Sequence, residues 1–192
     1  MSSAFDMAKV PNYLTYGRIF AIPVIMALLL ADGDVWRWLA LALYIIAAIT
    51  DFFDGYLARK YGTVSAIGRM LDPIADKLLV GALLLVFFLD GTFGVWELIP
   101  ATIILLREIF ISGLREFMGN EKIVVHVSSL AKYKTTIQLV ALALVIAMPV
   151  VPVLTIPALA LFWLAAILTA ITGWQYWQGA ISQIADREGA SK

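Results

Sequence analysis

Residues 51–76 read DFFDGYLARKYGTVSAIGRMLDPIAD, and the spacing of the acids in this stretch decides how the rest of the chain is read. Four carboxylates, Asp51, Asp54, Asp72 and Asp76, stand within or beside strongly apolar segments, where an unbalanced charge is costly. On helices, Asp51 and Asp54 are three residues apart and Asp72 and Asp76 four apart, so each pair projects from one face, and two such helices side by side offer four converging carboxylates. Like charges this close raise one another's pKa unless cations balance them. Hard oxygen donors suit Mg²⁺ or Mn²⁺. Zinc is disfavoured, since the chain has no Cys and its one His, His126, lies far off in a polar connector, where a solvated or headgroup-facing role is expected. Gly55 and Gly68 remove side-chain bulk beside the acids and let a ligand lie against the backbone. Ala58 keeps the same face narrow, and Arg59 adds a planar cation suited to phosphate oxygens.

The surrounding composition places this stretch in a membrane. Of 192 residues, 62% are hydrophobic and 15% charged, and the mean hydropathy is +0.91, values that imply an all-α, polytopic membrane protein rather than a soluble fold with an oily exterior. A formal net charge of +0 supplies no global basic field for a nucleic-acid partner. The absence of Cys rules out disulfides and thiolate chemistry. The start, MSSAFDMAKVPN, mixes acid and base and lacks the pattern of a cleavable leader.

Taken in order, the chain predicts a short interfacial helix over 2–9 within an interfacial segment 1–12, ended by Pro11, then a six-helix core over 13–178 and a cytoplasmic tail over 179–192, all in one domain. The expected spans are 13–31, 35–58, 71–89, 95–117, 137–148 and 154–177. The second is ~36 Å long at 1.5 Å per residue, enough to cross a bilayer, with Asp51 and Asp54 in its last two turns. The loop 60–70 is basic and glycine-punctuated, and Pro73 suits the first turn of the third helix, which also carries Asp72 and Asp76. Both acid pairs thus meet at one membrane surface. In the first span Asn12, Thr15 and Arg18 recur at steps of three and form a polar edge, to be weighed against simple end-capping and snorkelling. In the fourth, Arg107, Glu108 and Arg115 need partners or a water-filled cavity; Arg107 and Arg115, eight residues apart, line a wall of the site unless Arg107 and Glu108 merely pair with neighbouring helices. Trp163, Trp174, Tyr176 and Trp177 read as lipid-facing or interfacial belt residues. Six spans put both termini on one side, and the basic residues gather there with Arg37 the exception, so that side is cytoplasmic.

The central stretch resembles the CDP-alcohol phosphotransferases. Their pattern of Asp, two residues, Asp-Gly, two residues, Ala-Arg, eight residues, Gly, three residues, Asp, three residues, Asp is matched without a gap by Asp51, Asp54, Gly55, Ala58, Arg59, Gly68, Asp72 and Asp76. With each residue type at about 5–8% of average usage, a chance match in such a chain is on the order of 10⁻⁸. Further stretches are similar to the phosphatidylglycerophosphate synthase branch: Pro11-Asn12 with Leu14-Thr15 and Arg18; Leu106-Arg107-Glu108 with Ser112-Gly113-Leu114-Arg115-Glu116; and Leu130-Ala131-Lys132 with Lys134-Thr135-Thr136 and Gln138.

The resemblance implies transfer of a phosphatidyl group from CDP-diacylglycerol to a hydroxyl of sn-glycerol 3-phosphate with release of CMP, in phospholipid biosynthesis at a bacterial inner membrane. It implies two Mg²⁺ or Mn²⁺ ions on Asp51, Asp54, Asp72 and Asp76, with Asp76 also the base. Asn12, Thr15, Gly55, Ala58, Arg59 and Gly68 would bind the CDP-lipid, and a homodimer among membrane lipids is expected. Arg107, Arg115, Lys132 and Lys134 are the natural holders of an acceptor phosphate, which explains why so many cations are present. An inositol-phosphate acceptor is the alternative within the family. A divalent-cation transporter would need ligands along a path across the membrane, and a lipid-binding scaffold would need no convergent acids.

Overall fold

The described residues form six α-helices: α1 (Val10–Leu30), α2 (Asp34–Tyr61), α3 (Ala66–Leu89), α4 (Leu98–Asn120), α5 (Ser129–Ala147) and α6 (Thr155–Ala190). This computed structural model describes residues 10–61, 66–121, 123 and 129–190; the side chains of 10–13, 51–61, 66–69, 72, 129, 131, 132 and 188–190 lie outside the described set. No strand occurs among the described residues, as the all-α expectation requires. The helix expected over 2–9 lies outside them.

Several boundaries differ from the sequence-based expectation, each for a local reason. The third helix begins at Ala66, so most of the loop expected over 60–70 is helical and Pro73 sits two turns inside α3. A proline there removes one amide donor without ending the helix. α2 runs on to Tyr61, which leaves Asp51 and Asp54 about three and two turns from its end rather than inside the last two. α5 begins at Ser129, eight residues before the expected fifth span, so Lys132 and Lys134 are helical. A 3₁₀ turn, Val95–Glu97, precedes α4, where the Glu97 carboxylate accepts the Gly94 N–H at 2.9 Å. α6 continues through most of the segment expected as a tail. The stretch from Gly179 to Ala190 keeps apolar residues at Ala180, Ile181 and Ile184 among Gln, Asp, Arg and Glu, a pattern with helical period.

The chain divides into two compact units, Met1–Thr92 with Val145–Val153, and Phe93–Leu144 with Leu154–Lys192. In the first, α1 packs against both α2 and α3. Its buried stripe is Thr15, Arg18, Ile22, Ile25 and Leu29, the alternating three- and four-residue steps of one helix face. α2 answers with Ala40, Tyr44 and Ala47, small residues that allow close approach around one large ring, and α3 with Ala75, Leu79, Leu83 and Phe87. Phe20, Val24, Trp36, Ile46 and Leu85 point outward and are exposed, so these helices are apolar on both faces. Away from the acid stretch, the Arg37 guanidinium donates to Asp90 at 2.8 Å, to the Thr92 hydroxyl at 2.6 Å and, through Nε, to the Ile146 carbonyl at 2.8 Å. Gly91, at φ +74°, makes the turn that presents Asp90 and Thr92, a conformation other residues adopt only with strain. The one basic residue that broke the charge asymmetry is therefore committed to a structural junction.

In the second unit α4 packs against α6. α4 buries Ala101, Ile104, Ile111 and Met118, and α6 buries Ala158, Phe162, Ala165, Ala166, Thr169 and Thr172. The small α6 residues let the helices approach closely, and Phe162 meets Phe93 with ring centroids 4.8 Å apart.

Candidate active site

The acid motif is carried by two helices of the first unit. Asp51, Asp54, Gly55, Ala58 and Arg59 fall within three turns of α2, and Gly68, Asp72 and Asp76 recur every four residues along α3, so each set keeps to one side of its helix. Of the four acids only the Asp76 side chain is within the described set. It is 55% exposed and accepts a hydrogen bond from Arg18 Nη1 at 3.2 Å, while the Arg18 side chain is 1% exposed. α1 thereby delivers a buried guanidinium to the last acid of the motif. Thr15, one turn before Arg18, is buried as well; Asn12 lies in the first turn of α1 with its side chain outside the described set. Beside Arg18, a slot of about 230 Å³ runs between α1 and α2, lined by Gly17, Ala21, Leu43, Ala47 and Thr50.

The donor set answers whether divalent ions fit. Four carboxylates without Cys or a nearby His are the hard oxygen ligands that Mg²⁺ and Mn²⁺ take, and the exposure of Asp76 leaves it reachable by a hydrated ion.

The expected basic residues belong to the second unit. Glu108 of α4 lies between two cations: Lys134 of α5 donates to Glu108 Oε1, and Arg107 Nη1 stands 3.5 Å from the same oxygen. The Lys134 side chain is 4% exposed, Glu108 18% and Arg107 14%. Arg107 Nη2 also donates to the Thr172 hydroxyl of α6 at 3.4 Å. Arg115, two turns along α4, places its guanidinium carbon 5.4 Å from the centroid of the Tyr176 ring, a cation–π distance. Lys132 is in the first turn of α5, its side chain outside the described set. The local charge is a surplus of cations around one carboxylate, held by hydrogen bonds in a largely apolar setting. Such a cluster binds an anion with little rearrangement.

Several of these contacts are not signalled by the sequence. Arg18 is not among the site residues expected from the sequence; its spacing with Asn12 and Thr15 is the available signal. Glu108 was seen only as a possible pairing residue. Thr172 and Gly173 carry no signal, because α6 reads as an apolar span with scattered hydroxyls, and Tyr176, expected as a belt residue, also faces the Arg115 guanidinium.

Comparison with known proteins places the whole chain in one family. The family model described as CDP-alcohol phosphatidyltransferase matches residues 8–174. A Rickettsia typhi protein named CDP-diacylglycerol–glycerol-3-phosphate 3-phosphatidyltransferase is 45% identical over 90% of this chain and 97% of its own length. Proteins with the same name from Cereibacter sphaeroides and Escherichia coli K12 are 38% and 36% identical, covering 94% and 93% of this chain and 99% and 98% of their own. Similarity of this extent, running through the acid helices and the basic helices alike, means that the chain belongs to the CDP-alcohol phosphatidyltransferase family.

Proposed function

We propose that this protein transfers the phosphatidyl group of CDP-diacylglycerol to a hydroxyl of sn-glycerol 3-phosphate and releases CMP, a step of phospholipid biosynthesis. The observation that carries the reading is the shared name of relatives 36–45% identical along nearly their whole length. In the reaction a bond forms between the acceptor oxygen and the phosphatidyl phosphorus, the pyrophosphate P–O bond breaks, and the acceptor proton must be taken up. Asp76, half-exposed and steered by Arg18, is the assigned base. Asp51, Asp54, Asp72 and Asp76 are the assigned ligands of two Mg²⁺ or Mn²⁺ ions, which would supply charge neutralisation of the pyrophosphate and of the departing CMP oxygen. Asn12, Thr15, Gly55, Ala58, Arg59 and Gly68 are assigned to the CDP-lipid. Arg107, Arg115, Lys132 and Lys134 are assigned to the acceptor phosphate, and the surplus of positive charge around Glu108 supports that choice over an uncharged alcohol.

The proposed setting is a bilayer crossed by all six helices, with both termini cytoplasmic and the chain a homodimer. Among the described residues one helix, over 152–187, is long and apolar enough to cross a membrane by length and composition; the apolar outward faces of α1, α2 and α3 support the same placement for the others. The test is an acceptor panel with purified protein, CDP-diacylglycerol and Mg²⁺: CMP release with glycerol 3-phosphate is expected. Release with inositol phosphate and none with glycerol 3-phosphate would reassign the acceptor, and no CMP with any alcohol would remove the enzyme reading.

A further inference from the structure

The last helix carries no motif, yet it packs directly against a proposed substrate-binding side chain. We infer that Thr172 and Gly173 of α6 form the seat that orients the Arg107 guanidinium, and that they are positioning residues for the acceptor phosphate. The inference rests on the assignment of Arg107 to that phosphate.

Three observations support it. A Cβ placed on Gly173 would stand 2.8 Å from Arg107 Cγ and 3.3 Å from Nε. Real Cβ atoms do not approach so closely, and because Cγ is near the root of the side chain, a methyl there cannot be accommodated by moving the guanidinium tip alone. The whole Arg107 side chain would have to leave α6. Next, the Thr172 hydroxyl is within hydrogen-bond reach of the Leu168 carbonyl at 2.8 Å and the Thr169 carbonyl at 3.2 Å. Its single hydrogen is committed to its own helix, so its lone pairs are left for Arg107 Nη2. Finally, Arg107 Nε is buried and has no hydrogen-bond partner among the described residues. A buried donor without an acceptor is costly in the free protein and is satisfied when an oxyanion arrives.

Together these features fix a side chain that would otherwise lose considerable rotamer freedom on binding its ligand. Glu108 holds one end of the guanidinium, Thr172 the other, and the bare backbone at Gly173 receives the stem. Arg107 and Gly173 also border a groove of about 700 Å³ whose other walls include Leu106, Phe110, Trp174 and Trp177, so the cation stands at the edge of open volume.

A seat that serves only helix packing would tolerate Thr172→Val, which keeps shape and removes the acceptor lone pairs. The experiment is steady-state kinetics on the full-length protein in detergent, with CDP-diacylglycerol and glycerol 3-phosphate each varied, for Thr172→Val, Thr172→Ser, Gly173→Ala, Arg107→Lys and the Thr172→Val/Arg107→Lys pair. Thr172→Val and Gly173→Ala are expected to raise acceptor KM about tenfold, the loss of one hydrogen bond to a charged group, and to leave donor KM within about twofold. Thr172→Ser should retain nearly all function, and the double variant should be no worse than Arg107→Lys alone, since both changes break one contact. If Arg107→Lys raises acceptor KM while Thr172→Val and Gly173→Ala do not, the seat is overturned and the phosphate assignment stands. If Arg107→Lys leaves acceptor KM unchanged, both fall. Should Gly173→Ala fail to fold, the contrast between Thr172→Val and Thr172→Ser decides.

Discussion

A single carboxylate can be lost in two ways here, as an ion ligand or as the base. Asp51→Asn, Asp54→Asn and Asp72→Asn keep side-chain volume while removing a charge from the proposed ion-binding set, so turnover should collapse with helix content and unfolding temperature retained; circular dichroism and Mg²⁺ titration of the purified variants check this. Unchanged Mg²⁺ dependence and turnover in all three would remove the metal assignment. Asp76→Asn should lower turnover by about 10²-fold or more, as for loss of a general base, with CDP-diacylglycerol still bound. It should also lower stability slightly, because Arg18 is buried at 1% exposure and loses a carboxylate partner. Since Asp76 itself is 55% exposed, the cost is about 1 kcal/mol and not the larger figure of a fully buried pair. Among the cations, replacing Arg107, Arg115 or Lys132 by a neutral residue should raise acceptor KM about 10- to 100-fold through loss of a charge-assisted hydrogen bond, leaving donor KM nearly constant. Effects confined to donor KM would move the basic residues to the CDP-lipid.

At the level of the elements, Arg37 shows how a helix end is held by a fork of hydrogen bonds. Its guanidinium serves Asp90, Thr92 and the Ile146 carbonyl, and with Asp90 at 10% side-chain exposure the junction is nearly dry. Arg37→Ala should cost about 3 kcal/mol, the lower end for breaking a buried pair, and Arg37→Lys should recover only part, because an ammonium cannot reproduce the fork. Thermal unfolding in detergent reads the loss, while both KM values of the folded fraction should remain those of the parent; a selective change in one of them would place Arg37 in the site. Neither this junction nor the Arg107 seat was legible in the sequence. The six helices were, since long apolar runs broken by Asp-Gly, Gly and Pro leave few other arrangements. So was the acid motif, whose spacing survives any shift of helix ends. The ends themselves were misplaced where polar residues continue a helix, as at Ala66, Ser129 and Gly179 onward, because hydropathy marks where apolar character stops and helical hydrogen bonding continues past it. Partner choice, such as Lys134 for Glu108 or Thr172 for Arg107, joins residues far apart in sequence, and no local pattern encodes it.

For the whole molecule, topology can be read by single thiols, because the sequence contains no Cys. Each thiol introduced one at a time would then be the only reactive one. If all six helices cross the bilayer with both termini cytoplasmic, the turns before α2, α4 and α6 share the outer side, whereas the end of α4 and the last turns of α6 share the cytoplasmic side. Val35, Val95 and Val153 are 67%, 83% and 80% exposed, so Val35→Cys, Val95→Cys and Val153→Cys disturb little packing. Glu121 and Ser182 are likewise exposed and suit Glu121→Cys and Ser182→Cys. In intact cells a membrane-impermeant maleimide should label the first three and spare the last two; in inverted membrane vesicles the pattern should reverse. Ser182→Cys is the most telling position. α6 is 36 residues long, about 54 Å at 1.5 Å per residue, against a hydrocarbon core of about 30 Å. Its last turns must therefore project into water on whichever side they emerge. Labelling of Ser182→Cys from outside the cell would invert the helix, and with it the side on which the basic residues of the chain gather. The acid stretch would then face away from the cytoplasmic supply of phosphorylated acceptor. Labelling of Val35→Cys and Val153→Cys from opposite sides would instead mean that one of the intervening helices does not cross, and the six-span arrangement would have to be abandoned even with the family assignment intact.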